Sequence, residues 1–261
     1  MKQFCLKFLT PSLKHNKGFA EIIIFLLFLV FYKVSRFFAI GDEMTAFENA
    51  YKVINFEKWA GIFHEIPIQQ LFLDKTALIT FINKFYMMVH IPSTVLFFMW
   101  VYHKRSSYYK YIRNGFLIAN SLTLFFYVNF PCAPPRMLGD VGFVDTLLVV
   151  SDVNLYTGMF SGLFNQYAAV PSMHFGNALL IGIASSILIK NNFYRWLLLF
   201  YPIFVLLVIV STGNHFFLDA IIGGIVVLIP YPFLSLRCKF FTFSKKAFVF
   251  KEEGGCEEVN V

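Results

Sequence analysis

The sequence predicts an all-α, polytopic membrane helix bundle of about six transmembrane helices, with a flat amphipathic helix in the first outer loop. Three observations carry that expectation. Apolar residues make up 58% of the chain and aromatic residues 20%, against 14% charged, a balance far from that of a soluble domain. Six apolar runs each approach the ~20 residues that a bilayer core demands. Between the runs, basic and acidic connections alternate, as they do in a chain that crosses a membrane repeatedly. The formal charge of +7 falls in small clusters beside apolar segments and not on one stripe, so it marks topology and not a nucleic-acid partner.

The first run, 18–40, follows a basic tail with Lys2, Lys7, Lys14 and Lys17. No small-x-small cleavage site follows "GFAEIIIFLLFLVFYK", so the run is expected to be a retained span and not a signal peptide. The connection 41–78 carries three Lys against six Asp or Glu. Within it, "TAFENAYKVINFEKW" places Phe47, Tyr51, Ile54 and Trp59 at near-helical spacing, with Glu48, Lys52, Glu57 and Lys58 interleaved. That pattern suits a helix lying on the outer leaflet as a rim for an entering lipid, or one packed against the bundle.

The second run is 79–102, and "HKRSSYYKYIR" after it has four basic residues and no acid. The third is 114–130, and the connection 131–171 sets Arg136 against Asp140, Asp145 and Asp152. The runs 172–189, 194–212 and 215–236 complete the six, with Lys190 and Arg195 in the fourth connection. Arg237, Lys239, Lys245 and Lys246 open the C-terminal tail. The positive-inside rule puts both termini and connections two and four in the cytoplasm, and connections one, three and five outside the cell or in an organelle lumen. The chain therefore divides into a cytoplasmic tail, 1–17, a membrane domain, 18–236, and a second cytoplasmic tail, 237–261. The end of that tail, "KEEGGCEEVNV", reads as disordered. Of Cys5, Cys132, Cys238 and Cys256 only Cys132 falls on the oxidising side, so no intrachain disulfide is expected. The sequence has no N-glycosylation sequon.

The unusual polar residues gather at span ends on the non-cytoplasmic side, in "PCAPPRML" (131–138), "AAVPSMHFGNA" (168–178) and "STGNHFFLD" (211–219). His215 and Asp219, four apart at a helix start, share a face. The carboxylate can accept from the imidazole Nδ1–H and leave Nε2 free as a nucleophile. A polar pair packed between helices is the plainer reading, but ionisable residues at membrane depth are by default functional. In "PSMH", Pro171 suits a first helical turn. Ser172, Met173 and His174 then lie where free N–H groups and the helix dipole attract an anion, with His174 beside a leaving oxygen. Arg136 follows Pro131, Pro134 and Pro135, a stiff mount for a guanidinium that meets phosphate oxygens bidentately, unless it only decorates the loop surface. His90 shares a face with Asn83 and Tyr86 and is placed either to contact a headgroup or acceptor or to hydrogen-bond inside the bundle. Asn214, Asn177, Asn165 and Tyr167 neighbour the motifs as pocket lining or as loop ties. No Cys, His or carboxylate cluster has metal spacing, and no cofactor is expected.

Together, Arg136, "PSMH" with His174 and "NHFFLD" with His215 and Asp219 resemble, in that order, the three motifs of the type 2 phosphatidic acid phosphatase superfamily. "NKFYMMVHIP" and "ENAYKVINFEKWAGIFHE" resemble its inositolphosphotransferase branch, which includes fungal inositol phosphorylceramide synthase. The likeness covers roughly residues 45–230. The chain departs from the phosphatase pattern in lacking a lysine six or seven residues before the arginine. It has Val208 and Ile209 where the family has Ser-Arg, and Met173 where it has glycine. Arg136 must then carry more of the phosphate's charge, with Lys33, Arg36 or Lys84 as candidate helpers. The resemblance implies a metal-free enzyme acting on a phosphorylated lipid. In it His215 attacks phosphorus, Asp219 orients His215, His174 protonates the leaving group and then deprotonates the acceptor, and Arg136 and Ser172 hold the phosphate. Headgroup transfer to an alcohol is favoured, hydrolysis is the alternative, and a non-catalytic lipid transporter or scaffold with the same fold is the third reading.

Overall fold

Helices make up most of the chain that the computed structural model describes, which is residues 10–38, 41–153, 165–232, 241–244 and 247–250, with side chains at 18–35, 41–153 and 165–232. Helix α1 (Thr10–Phe38) contains the apolar window Gly18–Ser35, and α9 (Asn192–Ser211) a second window; each is long and apolar enough to cross a membrane. Helices α4 (Thr76–Met88) and α5 (His90–Lys104) meet that test only as a pair bent by 51°. The second apolar run is therefore a broken helix and not the continuous one expected. Pro92 supplies the reason, since it has no N–H for the Met88 carbonyl and its ring crowds that oxygen. Helix α8 (Met173–Leu188) and helix α10 (Phe217–Leu228) are shorter apolar helices, and α6 (Ser106–Asn129) completes the bundle. In the tail, strands β1 (Phe241–Ser244) and β2 (Ala247–Phe250) pair antiparallel, with Phe241 opposite Phe250. "KEEGGCEEVNV" lies outside the described residues.

Helix α8 packs most extensively against α9 and α10. Small residues permit that approach, as they do between membrane helices generally. A Cβ on Gly223 would lie 2.1 Å from the Ser172 carbonyl oxygen, and one on Gly176 would lie 2.7 Å from the Gly223 oxygen. Neither obstacle is a side chain that can swing away. Gly223→Ala is accordingly expected to cost about 3 kcal/mol or more, at or beyond the upper end of ordinary overpacking, seen as a lower melting temperature in detergent together with lost activity.

Helix α2 (Glu43–Ala60) begins at Asp42, whose carboxylate accepts the Thr45 N–H at 2.9 Å, and ends at Gly61 with φ +70°. Its buried face is Ala46, Ala50, Val53, Ile54 and Glu57. Of the apolar positions singled out in the sequence, Ile54 is buried on that face and Phe47 packs against its edge, half-buried. Trp59 is 82% exposed, and Tyr51 points out to donate to Asp140. The apolar stripe is thus rotated from the one expected, because the small alanines, and not the aromatics, allow close approach to the loops beneath. Those loops are stitched by Cys132 N–H to Tyr167 O (2.7 Å), Ala133 N–H to Ala46 O (3.0 Å) and Asn49 Nδ2 to Pro131 O (2.9 Å). Ala46, Ala50, Val53 and Ile54 pack there with Leu138, Phe143, Val170 and Phe216. Helix α3 (Glu65–Leu73) follows, and Gln69 exchanges two 2.9 Å hydrogen bonds with the Val144 backbone. The whole connection is a platform over the end of the bundle where α9 turns into α10.

Candidate active site

The site grows from that turn. Helix α9 ends at Ser211, Gly213 takes a left-handed φ of +66°, and α10 begins after Phe216. A side chain at Gly213 would be strained and would press on Gln69 and Arg136. Between the two helices the backbone N–H groups of Asn214 and His215 both reach the Ile209 carbonyl, at 2.9 and 3.2 Å. That fixes His215 at the mouth of the bundle, only 5% exposed.

His215 Nδ1 lies 3.0 Å from the Ala169 carbonyl oxygen and 3.3 Å from Asp219 Oδ2. Both partners are acceptors when Asp219 is ionised, so Nδ1 is the donor, and in the neutral ring the lone pair is then on Nε2. Asp219 is fully buried and also takes the Phe216 N–H at 2.9 Å, which fixes its rotamer as part of the α10 cap. The spacing of four residues read from the sequence is thus a direct hydrogen bond, with Ala169 an additional anchor that the sequence did not disclose.

Ser172 is the N-cap of α8. Its Oγ faces the Phe175 N–H at 3.5 Å, and its own N–H donates to the Asp219 carbonyl at 2.9 Å, tying the start of α8 to α10. Pro171 precedes this cap and does not occupy the first turn, where it was expected. His174, in that first turn, stacks on Tyr86 with ring centroids 4.5 Å apart and lies 4.4 Å from His90 and 5.7 Å from His215. Three imidazoles thus run in a row from the α4–α5 break to the α9–α10 turn. A small cleft beside them is lined by Tyr86, His90, His174, Tyr201, Val208 and Ile209. His90 Nδ1 is buried with no hydrogen-bond partner among the described residues, while Tyr201 is held by Ser93 at 2.8 Å.

Arg136 is not surface decoration. Its N–H donates to the Gly213 carbonyl at 2.7 Å, its guanidinium donates to Asn214 Oδ1, and Nε lies 3.8 Å from Asp145 Oδ2. Asn214 in turn donates to Thr212 Oγ1 at 2.6 Å. The arginine is therefore mounted on the turn that carries His215. Cys132 is a buried free thiol, pushed well above its ordinary range by burial and, secondarily, by Asp219 and Glu57.

Two expected pocket residues do not join this set. Asn83 spends its amide on Thr146 O and Ser151 Oγ, both at 2.8 Å, and accepts from Thr146 Oγ1 at 2.9 Å, pinning α4 to the short helix α7 (Thr146–Ser151). Asn177 faces Asn120 of α6 at 3.3 Å. Asn165 accepts the Tyr167 N–H at 3.0 Å, which is a loop tie. Asn83→Ala is expected to lower stability by about 1 to 3 kcal/mol, the cost of leaving buried polar groups unpaired, while kcat of the folded fraction stays unchanged. Thermal melts set beside steady-state rates check this. Of the proposed helper cations, Lys84 is exposed, and the Arg36 side chain lies outside the described residues.

Two residues with no assigned role in the sequence touch the site from outside. Glu57 Oε1 accepts the Leu218 N–H at 2.7 Å and Glu65 Oε1 accepts the Phe217 N–H at 2.9 Å, at the start of the helix that bears Asp219. Glu57 recurs with Ala46, Ala50 and Val53 on one helical face, a periodicity that would have found it. Glu65 had no comparable signal.

A family profile described as the PAP2 superfamily matches residues 51–233, a span that takes in Arg136, His174, His215 and Asp219. No curated protein and no solved structure matches the chain.

Proposed function

The chain belongs to the PAP2 superfamily, and on that premise we propose that it is a six-span phosphotransferase that moves a phosphoryl headgroup from a membrane lipid to an alcohol through a phosphohistidine. The family supports an activity of the lipid phosphatase or phosphotransferase kind; the residue roles are our reading of the geometry. The observation that carries it is the pair of acceptors on His215 Nδ1, Ala169 O at 3.0 Å and Asp219 Oδ2 at 3.3 Å, which favours the proton on Nδ1 and so, in the neutral ring, the lone pair on Nε2.

In the first step the Nε2 lone pair forms the N–P bond while the lipid's O–P bond breaks, and a protonated His174 supplies the proton to the departing alkoxide. Asp219 stabilises the charge that develops on His215. Arg136, released from Asp145 as the anion enters, and the hydroxyl of Ser172 hold the equatorial oxygens; loss of one such contact typically raises a barrier by about 3 to 4 kcal/mol. In the second step His174 takes the proton of the acceptor, whose oxygen attacks phosphorus as the N–P bond breaks. Tyr86, stacked on His174, and His90, tilted against it, favour a shaped acceptor site over free access of water, and Asn214 braces the turn.

The alternation of charge between the runs favours a site on the non-cytoplasmic face, with both tails cytoplasmic, 1–17 and 237–261, around the membrane domain 18–236. Purified protein supplied with phosphatidate or a lipid pyrophosphate, with and without inositol and ceramide, separates the outcomes. Transfer yields a phosphate ester of the added alcohol, inositol phosphate or ceramide phosphate, hydrolysis yields free phosphate whether or not the alcohol is present, and a non-catalytic scaffold yields neither.

A further inference from the structure

We propose that Glu57 and Glu65 share one proton and, as a pair, cap α10 so as to position the His215–Asp219 couple; this rests on the reading of His215 as the nucleophile. The glutamates come from α2 and α3, on either side of the turn 61–64, and both are fully buried. Three successive backbone N–H groups at the start of α10 each end on a different carboxyl. Phe216 donates to Asp219, Phe217 to Glu65 and Leu218 to Glu57, at 2.9, 2.9 and 2.7 Å. These are the free donors of a helix start, and the dipole there favours negative charge.

It does not favour three negative charges. The second oxygens of Glu57 and Glu65 are buried with no donor among the described residues, and the two carboxyls are neighbours close enough to share a hydrogen bond. Two ionised carboxylates so placed, with Asp219 at the same helix start, would repel strongly because all three side chains are fully buried. One proton between them turns the repulsion into a hydrogen bond. It leaves one anion on the pair, matched to the helix end. Burial, reinforced by Glu65 and opposed by the Leu218 N–H, holds Glu57 up at about 9. Of the other groups around it, Asp219 pushes the same way, Cys132 is a neutral thiol, and the Lys58 ammonium lies over the Phe63 ring.

The consequence is a positioning device with its own pH range. While the proton is present, the first turn of α10 is fixed, and with it the carboxylate that aligns His215. When the pair loses its proton the carboxyls separate, the cap loosens and turnover falls on the alkaline side. Stability follows the same sign. The folded chain keeps a proton that the unfolded chain releases near 4.5, so the contribution is complete below that value and is lost as pH rises towards about 9.

Full-length protein in detergent, with kcat followed against pH and carboxyl stretches followed by infrared difference spectroscopy, tests the proposal. Glu57→Gln mimics the protonated partner. It should keep near-normal kcat at neutral pH, flatten the alkaline limb and remove a protonated-carboxyl band that the wild type shows at pH 7. Glu57→Ala should lose about a hundredfold in kcat with little change in KM, as expected when a reacting group is displaced by about 1 Å. The proposal is overturned if Glu57→Gln is as impaired as Glu57→Ala, if it retains the wild-type alkaline limb, or if the band survives in it. The band is read without turnover, so it decides on the shared proton even if His215→Asn stays active, whereas that activity would overturn only the assignment of the nucleophile. If the alanine variant fails to fold, the glutamine variant and its spectrum still decide.

Discussion

His215→Asn is expected to lower kcat by at least about ten-thousandfold, the scale seen when the nucleophile of a coupled catalytic unit is removed. Asparagine is the informative replacement because its side-chain N–H can still donate towards Ala169 O and Asp219, the two contacts of Nδ1. The turn and the α10 cap should persist, so the melting temperature should stay near that of the wild type. What disappears is Nε2, the atom assigned to attack phosphorus. A folded variant with residual turnover near wild type would remove His215 from the chemistry. It would bring forward a scaffold or transporter role, in which the buried His–Asp pair only joins helices.

His174→Gln is expected to lower kcat by about a hundred- to ten-thousandfold, the usual contribution of a positioned general acid and base. The loss should depend on the leaving group. With an alkyl lipid substrate, whose alkoxide needs the proton, the fall is largest. With a nitrophenyl phosphodiester the first step no longer needs it, and the defect shifts to the second step, where the acceptor still has to be deprotonated. The variant should then give a burst of one nitrophenolate per enzyme followed by slow turnover. An equal loss on both substrates without a burst would assign His174 to packing against Tyr86 and His90 and not to proton transfer.

The sequence disclosed the site better than its surroundings. The contact between His215 and Asp219 was legible because polar residues four apart at a helix start share a face and stand out inside an apolar run, and the start of α8 was marked by Pro171 and Ser172. The helix positions were also legible, because length and hydropathy set them. Four things were not. The bend at Val89 depends on Pro92, which sits at a position equally compatible with a continuous span. The buried face of α2 was obscured because its aromatic residues suggested one stripe while its alanines formed another. Asn83 resembled a pocket residue because Tyr86 and His90 lie on its face, yet its amide is used by Thr146, 63 residues away. The glutamate cap was the least accessible of all. Charged residues in a connection between apolar runs are normally solvated, and only the docking of α2 and α3 on α10, more than 150 residues later, gives Glu57 and Glu65 their donors.

The central claim is a covalent bond between His215 and phosphorus, and trapping it tests the account most directly. Purified enzyme would be mixed with lipid labelled at phosphorus, without acceptor, and quenched in alkaline detergent. The account expects label on the protein that survives alkali, is released by mild acid, maps to the peptide containing His215 and is lost in His215→Asn. Turnover with no labelled intermediate, or label of equal strength in His215→Asn, would contradict it.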